Sequence, residues 1–288
     1  MPELPEVETV RRGLALVMAG AGIRDVELRR ADLRFPLPAG FADRLTGARI
    51  NDLERRGKYL VAPLSTGEAL IMHLGMTGRF TVVGEKAGRP GRFAHAQGAD
   101  SRHDHVVFRL KTAAGKAATI TYNDPRRFGF MDLAPTAEFN KSRHFKGMGP
   151  EPLSDAFTAE ALTSALKGRM APIKAGLLDQ GVVAGIGNIY ACEALFRAGI
   201  SPRRRAATVA GQRALRLHAA VVAVLGEAIE AGGSTLRDFA GADGALGYFQ
   251  HSFDVYGREG EPCPVCAAPV RRITQSGRST FFCSMCQR

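Results

Sequence analysis

KYLVAPLSTGEALIMHLGMTGRFTVV, residues 58–83, holds three apolar runs in 26 residues: KYLVAPL, ALIMHL and RFTVV. Each run is too short for a globular helix and rich in the residues that pack well on a pleated surface. Ser-Thr-Gly separates the first two, and Gly75 and Gly78 bracket the next gap, so the stretch predicts strands joined by tight turns. The same pattern extends outward through HVVFRL (105–110), ATITY (118–122) and FGFMDL (128–133). From about Ala48 to Leu133 the chain therefore predicts an all-β region of at least six strands, arranged as a sandwich.

The flanks read differently. Residues 5–18 predict a helix: Pro5 suits a first turn, Glu6 and Glu8 suit the positive dipole end, and Val7, Val10 and Leu14 share a face. GEKAGRPGRFAHAQGADSRHD (84–104) is polar, basic and glycine-rich, and predicts a long surface loop. KGMGPEPLSD (146–155) predicts a hinge. Beyond it the periodicity turns helical: FTAEALTSALKG, PIKAGLLDQG and NIYACEALFRAG each end in glycine, and a longer helix is expected over 208–231. A Gly-rich loop and a cysteine-bearing tail follow. The fold class is α+β and multidomain, with expected divisions at 1–133, 134–154, 155–250 and 251–288.

Thirty-nine Lys and Arg against 28 Asp and Glu give a formal charge of +11 over 288 residues. That balance favours a polyanion partner, nucleic acid before an anionic membrane surface. No run of about 18 apolar residues predicts a membrane span, and the acidic start lacks the apolar core of a secretory signal. The expectation is a soluble cytoplasmic protein, monomeric, with no membrane partner.

Cys263-Pro-Val-Cys266 and Cys283-Ser-Met-Cys286 are separated by 16 residues, within the spacing of a four-cysteine zinc site. Each CxxC puts two thiolates on one turn, and two pairs complete a tetrahedron with no open position, so one structural zinc is expected and no catalytic metal. Disulfides are the alternative, disfavoured in an intracellular chain. The intervening residues predict a β-hairpin turning near Ser276-Gly277. Arg278 lies at its tip with Arg271 and Arg272 nearby; five Arg against two Glu give residues 257–288 a charge of +3. The fifth cysteine, Cys192, falls in a predicted helix and is expected to be packed.

MPELPEVET (1–9), RRGKYL (55–60), HLGMTG (73–78), DPRRFG (124–129), GIGNIY (185–190) and the paired CxxC tail occur in one order along the chain. Together they resemble the bacterial formamidopyrimidine-DNA glycosylases over essentially the whole length. The resemblance implies a β-sandwich domain hinged to a helix-two-turn-helix domain with a zinc finger. It implies excision of oxidised purines, 8-oxoguanine and formamidopyrimidines, from damaged double-stranded DNA in base excision repair, followed by strand nicking through β,δ-elimination.

The resemblance also assigns roles to residues that would otherwise read blandly. Pro2 alone is a helix start; as the N-terminus after Met1 is removed it is a secondary amine, and α-amino groups titrate near ~7.7–8.0. Such an amine can attack the sugar C1′ and form an iminium that acidifies the C2′ protons. Glu3 matches the family's proton donor, and Glu6 an acid near the site, though a helix-dipole role explains it equally well. Lys58, alone a solvated charge, matches the proton donor to the leaving group in β-elimination. Arg278 matches the position assigned to δ-elimination, but an arginine is a poor acid and physically suits a phosphate clamp. Met76, Arg126 and Phe128, of which Met76 and Phe128 would by themselves be core, match the residues that fill the gap left by an extruded base. His103, Arg169, Lys174 and Asn188 align with DNA contacts, Asn188 at a helix N-terminus suited to an anion. The segment 234–249 matches the loop that closes over the flipped base. Two alternatives stay open: an endonuclease VIII-like glycosylase for oxidised pyrimidines, and a non-catalytic zinc-containing protein that binds DNA damage. The second would need the basic face and zinc tail but not Pro2, Glu3 and Lys58 together.

Overall fold

The computed structural model describes residues 1–84, 100–234 and 248–288. By internal contacts the chain forms two compact units, 1–146 with 232–248, and 147–231 with 249–288. The division at 146/147 falls inside the segment expected to be a hinge. The segment 232–248 groups with the first unit, and the zinc tail groups with the helices rather than standing alone.

The first unit opens with α1 (Leu4–Met18), whose Leu4, Val7, Val10, Leu14 and Met18 are buried along one stripe. Then come β1 (Gly22–Leu28), the short α2 (Phe41–Leu45), β2 (Glu54–Arg56), β3 (Tyr59–Pro63), β4 (Glu68–His73) and β5 (Arg79–Gly84). After a 3-10 turn at Ser101–His103 follow β6 (Asp104–Lys111), β7 (Ala117–Asn123) and β8 (Phe130–Pro135). They make two four-stranded antiparallel sheets, ordered β1-β6-β7-β5 and β2-β3-β4-β8. Both sheets contribute to one core: Val106, Phe108 and Ile120 from the first, Leu60, Leu70 and Met72 from the second, closed by Val7, Val10 and Leu14 of α1. The expected sandwich is present, with β1 and α2 as elements the sequence pattern did not announce.

The second unit contains α3 (Ala159–Leu166), α4 (Ile173–Leu178), α5 (Asn188–Arg197) and α6 (Gln212–Glu230) around a shared apolar core that includes Leu162, Leu177, Tyr190 and Val221. Gln180 laces the turn between α4 and α5: its amide donates to the Leu178 and Ile186 carbonyls, and its oxygen accepts from Gly185 N at 2.8 Å. The tail is a hairpin of β9 (Arg271–Gln275) and β10 (Arg278–Phe282). Ser276 and Gly277 at its turn both have positive φ, 50° and 71°, as a two-residue primed turn requires. A small core of Phe196, Val255, Val270, Phe281 and the buried Cys192 seats the hairpin on α5. Among the described residues no helix is long and apolar enough to cross a membrane.

Candidate active site

The N-terminus is built into α1. Glu3 and Glu6 form a reciprocal capping box, with Glu3 N donating to Glu6 Oε2 at 2.8 Å. Pro2, Glu3 and Glu6 are buried, while Met1 is 47% exposed. The other Glu6 oxygen accepts from both Ser234 N, at 2.8 Å, and Ser234 Oγ, at 2.9 Å. Glu6 thus does more than meet the helix dipole: it fastens the residue that begins the 234–249 loop to the turn that carries Pro2. Residues 235–247, with most of that loop, lie outside the described residues, as do 85–99 of the 84–104 loop.

Lys58 follows Gly57 in the β2–β3 turn, is 7% exposed, and hangs from the same helix. Arg55 of β2 donates to Glu8 of α1 at 3.1 Å and to the Gly57 carbonyl of the turn. Burial pushes the Glu8 carboxyl up, but the bonds and charges of Arg11 and Arg55 outweigh it and hold the group below the usual carboxylate range. An ionised Glu8 therefore ties the Lys58 turn to the helix that carries the terminus.

A pocket of about 490 Å³ opens beside these groups, lined by Met1, Leu33, Arg34, His73, Gly75, Met76, Arg126, Arg127 and Phe128. The three residues expected to enter a duplex share this pocket, and the two apolar ones are exposed, Met76 to 39% and Phe128 to 41%. Two exposed apolar side chains bordering one cleft with a basic rim are the arrangement of a binding surface, and the Arg126 guanidinium over the Phe128 ring, 4.6 Å from its centroid, couples two of the three. His103 is half-exposed in the turn before β6, and its carbonyl accepts from Asp124 N in the same loop region.

His73 was not singled out by the sequence argument, although it begins the HLGMTG motif. Its ring stacks on Phe130, 5.2 Å between centroids and 13° between planes, with Tyr59 tilted against it at 4.9 Å. Nδ1 accepts from Gly75 N at 3.0 Å. A neutral imidazole in that bond carries its proton on Nε2 and serves as a donor. Burial first, then the charges of Lys58, Arg34 and His144, lower its pKa from 6.5 to about 4. The sign for stability follows: between those values the unfolded chain binds a proton that the folded chain does not, so stability is lost as pH falls through the window. The ring edge facing the pocket is partly wet, which limits the effect to about 2 kcal/mol. His73→Asn keeps an acceptor for Gly75 and does not titrate. Thermal melts from pH 7 to 4 should show a shallower acid limb for that variant, and an identical limb would remove His73 from the account.

In the second unit the expected contacts converge only in part. Asn188, first residue of α5, donates from Nδ2 to the Ser279 carbonyl at 2.9 Å. Its Oδ1 is buried without a hydrogen-bond partner among the described residues. Gly187 offers the helix no side-chain cap, so the first α5 amides remain suited to an anion. Arg278 is exposed at the start of β10, next to Ser279. Arg169 is exposed and paired with Asp179 at 2.6 Å. Lys174 is 1% exposed, and its ammonium donates to Thr280 Oγ1 at 2.6 Å and the Ser279 carbonyl at 3.0 Å. The buried ammonium braces β10 against α4.

The four tail cysteines bring their sulfurs within 4.8 Å of one another. Cys263 and Cys286 sulfurs are 3.8 Å apart and those of Cys266 and Cys283 are 3.5 Å apart. Both distances far exceed a disulfide bond, about 2.05 Å. They approach the roughly 3.8 Å edge of a tetrahedron with metal–sulfur bonds of about 2.3 Å. The residues fit a structural zinc.

Comparison with known proteins agrees with this geometry. Residues 1–131 match the formamidopyrimidine-DNA glycosylase N-terminal domain, 148–240 the formamidopyrimidine-DNA glycosylase H2TH domain, and 260–288 a zinc finger found in FPG and IleRS. The formamidopyrimidine-DNA glycosylase of Ruegeria pomeroyi is 58% identical and that of Caulobacter vibrioides 57%, each over the full length of both chains. Among solved structures, MutM (Fpg) of Thermus thermophilus superposes with a TM-score of 0.84 at 41% identity, covering 99% of this chain and 98% of that one. The Lactococcus lactis Fpg bound to DNA containing N7-benzyl-Fapy-dG superposes with a TM-score of 0.85 at 32% identity over the whole of both chains. The chain therefore belongs to the formamidopyrimidine-DNA glycosylases, a family of base-excision-repair enzymes.

Proposed function

We propose that the protein excises oxidised purines, 8-oxoguanine and formamidopyrimidines, from duplex DNA through a covalent intermediate on Pro2, and then nicks the strand. The observation that carries this reading is the pocket in which Met1 sits beside His73, Met76, Arg126 and Phe128, with Pro2 buried directly behind Met1. Removal of Met1 turns the Pro2 nitrogen from an amide into a secondary amine at the edge of a pocket equipped to hold a displaced nucleotide.

The steps follow from the groups present. The Pro2 nitrogen attacks C1′, the glycosidic bond breaks, and the base leaves with the proton that the amine gives up. The C1′–O4′ bond then opens, Glu3 supplies the proton that O4′ takes, and the lone pair of Pro2 completes an iminium to C1′. This iminium is permanently cationic and draws electrons from C2′. Loss of a C2′ proton then expels the 3′-phosphate, with Lys58 as donor to the leaving group, and a second elimination expels the 5′-phosphate. His73, neutral and with its proton on Nε2, is placed to donate to a phosphate without a full charge of its own. Met76, Arg126 and Phe128 occupy the gap in the duplex, apolar wedges for the stack and a guanidinium for the abandoned cytosine. Asn188, Arg169, His103 and Arg278 hold backbone phosphates. A zinc held by Cys263, Cys266, Cys283 and Cys286 would supply no chemistry to the reaction; it would fix the hairpin that presents Arg278.

A Lactococcus lactis Fpg complex with DNA containing an oxidised pyrimidine, 32% identical to this chain, supports a second reading in which oxidised pyrimidines are also accepted. The deciding experiment is borohydride trapping on a duplex with 8-oxoguanine opposite cytosine, run beside a thymine-glycol duplex. The purine duplex should give a covalent adduct that an uncleaved residue ahead of Pro2 abolishes. An adduct equally abundant with that blocked chain rejects the nucleophile, and a stronger adduct with thymine glycol rejects the purine preference.

A further inference from the structure

The candidate wedge residues come from two separate loops. Met76 lies in residues 74–78, between β4 and β5; Arg126 and Phe128 lie in residues 124–129, between β7 and β8. The second loop opens with Asp124, 0% exposed, with no ion-pair partner among the described residues. Its Oδ1 accepts from Thr77 Oγ1 of the first loop at 2.5 Å and from Arg126 N of the second at 3.3 Å. Its Oδ2 accepts from Gly129 N at 2.8 Å and from the Tyr122 hydroxyl at 3.2 Å. A single buried carboxylate thereby bonds to both loops and to the core strand beneath them.

The glycines show how close the loops lie. Gly75 has φ +64°, and a Cβ there would overlap the Phe128 carbonyl carbon and Gly129 nitrogen. A Cβ on Gly78 or on Gly129 would overlap the Tyr122 hydroxyl. The Tyr122 oxygen therefore sits against both loop backbones, and burial together with the Asp124 charge keeps its phenol protonated as a donor. Arg127, next to the wedge residues, adopts a left-handed φ of 53° without being glycine, a conformation that persists only where the surroundings impose it.

A wedge separates stacked bases only if it is stiffer than the stack. A loop free to swing would yield before the bases do. We propose that Asp124, with Thr77 and Tyr122, is a positioning group that locks the two loops into one rigid body, so that Met76, Arg126 and Phe128 enter the duplex together. This rests on the wedge assignment made above. None of the three positioning residues need touch DNA.

The test uses the full chain and three variants. Thr77→Val removes the hydroxyl at constant shape, Thr77→Ser keeps it, and Asp124→Asn removes the charge. The first readout is 2-aminopurine fluorescence opposite a tetrahydrofuran abasic analogue in a duplex, which reports entry of the wedge and needs no chemistry. The second is single-turnover excision of 8-oxoguanine from a duplex. The third is borohydride trapping at an abasic site in single-stranded DNA, where no stack has to be opened. Thr77→Val and Asp124→Asn should slow the fluorescence change and duplex excision by about tenfold or more, the loss expected for hydrogen bonds to a buried charge. Single-strand trapping should stay within about twofold of the parent, and Thr77→Ser should restore both duplex readouts. Unchanged fluorescence kinetics in Thr77→Val, or equal losses on duplex and single strand, would overturn the proposal. If the parent forms no adduct at all, the covalent Pro2 reading fails, while the fluorescence arm still decides the loop coupling.

Discussion

A chain in which Pro2 is preceded by one uncleaved residue should give no borohydride-stable DNA adduct, and should nick damaged duplex at least about 10³-fold more slowly. The reason is electronic. An amide nitrogen shares its lone pair with the carbonyl and cannot attack C1′, whereas the free secondary amine can. The geometry makes the comparison clean, because Met1 is 47% exposed and borders the open pocket. An additional residue extends into solvent there and leaves the buried Pro2, Glu3 and Glu6 of the helix cap in place. Duplex affinity and melting temperature should therefore change little while chemistry is lost. Mass spectrometry of the N-terminus fixes which form is being measured. Full trapping by a chain shown to retain the extra residue would end the Pro2 assignment, and with it the iminium route to nicking.

The parts of this molecule that sequence revealed are those written in local spacing. The helix over residues 5–18 has a proline in its first turn and an apolar stripe, and α1 spans Leu4–Met18. The hairpin turn at Ser276-Gly277 is carried by the residues that tolerate positive φ. Local pattern failed where long-range pairing decides. GIRDVEL, which forms β1, does not alternate cleanly because its register shifts between Ile23 and Asp25, and its outward face pairs Asp25 and Glu27 with Arg109 of β6. The five residues of α2 are too few to show a helical period. The burial of Lys174 has no local trace either, because spacing does not tell which way a helical side chain points: it lies inside, bonded to residues more than 100 positions away. The Glu6–Ser234 tether spans 228 positions and has no local trace at all. Met76 and Phe128 are the reverse case. As isolated letters they are core residues, and only the family resemblance, and then their exposure at one pocket, distinguishes them.

Stripping the zinc-binding tail of metal should cost more than the hairpin itself, and Lys174 should be the reason. Apparent zinc affinities of four-ligand fingers are about 10–16 kcal/mol, comparable to the whole stability of a domain at about 5–15 kcal/mol. A hairpin with so small a core, chiefly Phe281, Val270 and Val255 against Phe196, does not hold its shape without that contribution. When it loosens, the 1%-exposed Lys174 ammonium loses its acceptors on Ser279 and Thr280 inside the helical unit, and Asn188 loses the Ser279 carbonyl. A hydrogen bond lost from a buried ammonium costs about 1.5–3 kcal/mol. Chelation, or Cys266→Ser, should therefore lower the melting temperature of the helical unit as well as release the hairpin. Duplex affinity should fall by about 10²-fold as Arg271, Arg272 and Arg278 lose their arrangement over the phosphates. The decisive comparison is Lys174→Met, melted with and without metal. In the metal-loaded chain it should destabilise, because the hairpin oxygens lose their donor. In the stripped chain the cost should shrink, because those two hairpin bonds are already lost. An equal cost in both states would show that Lys174 is not the link between the metal site and the helices.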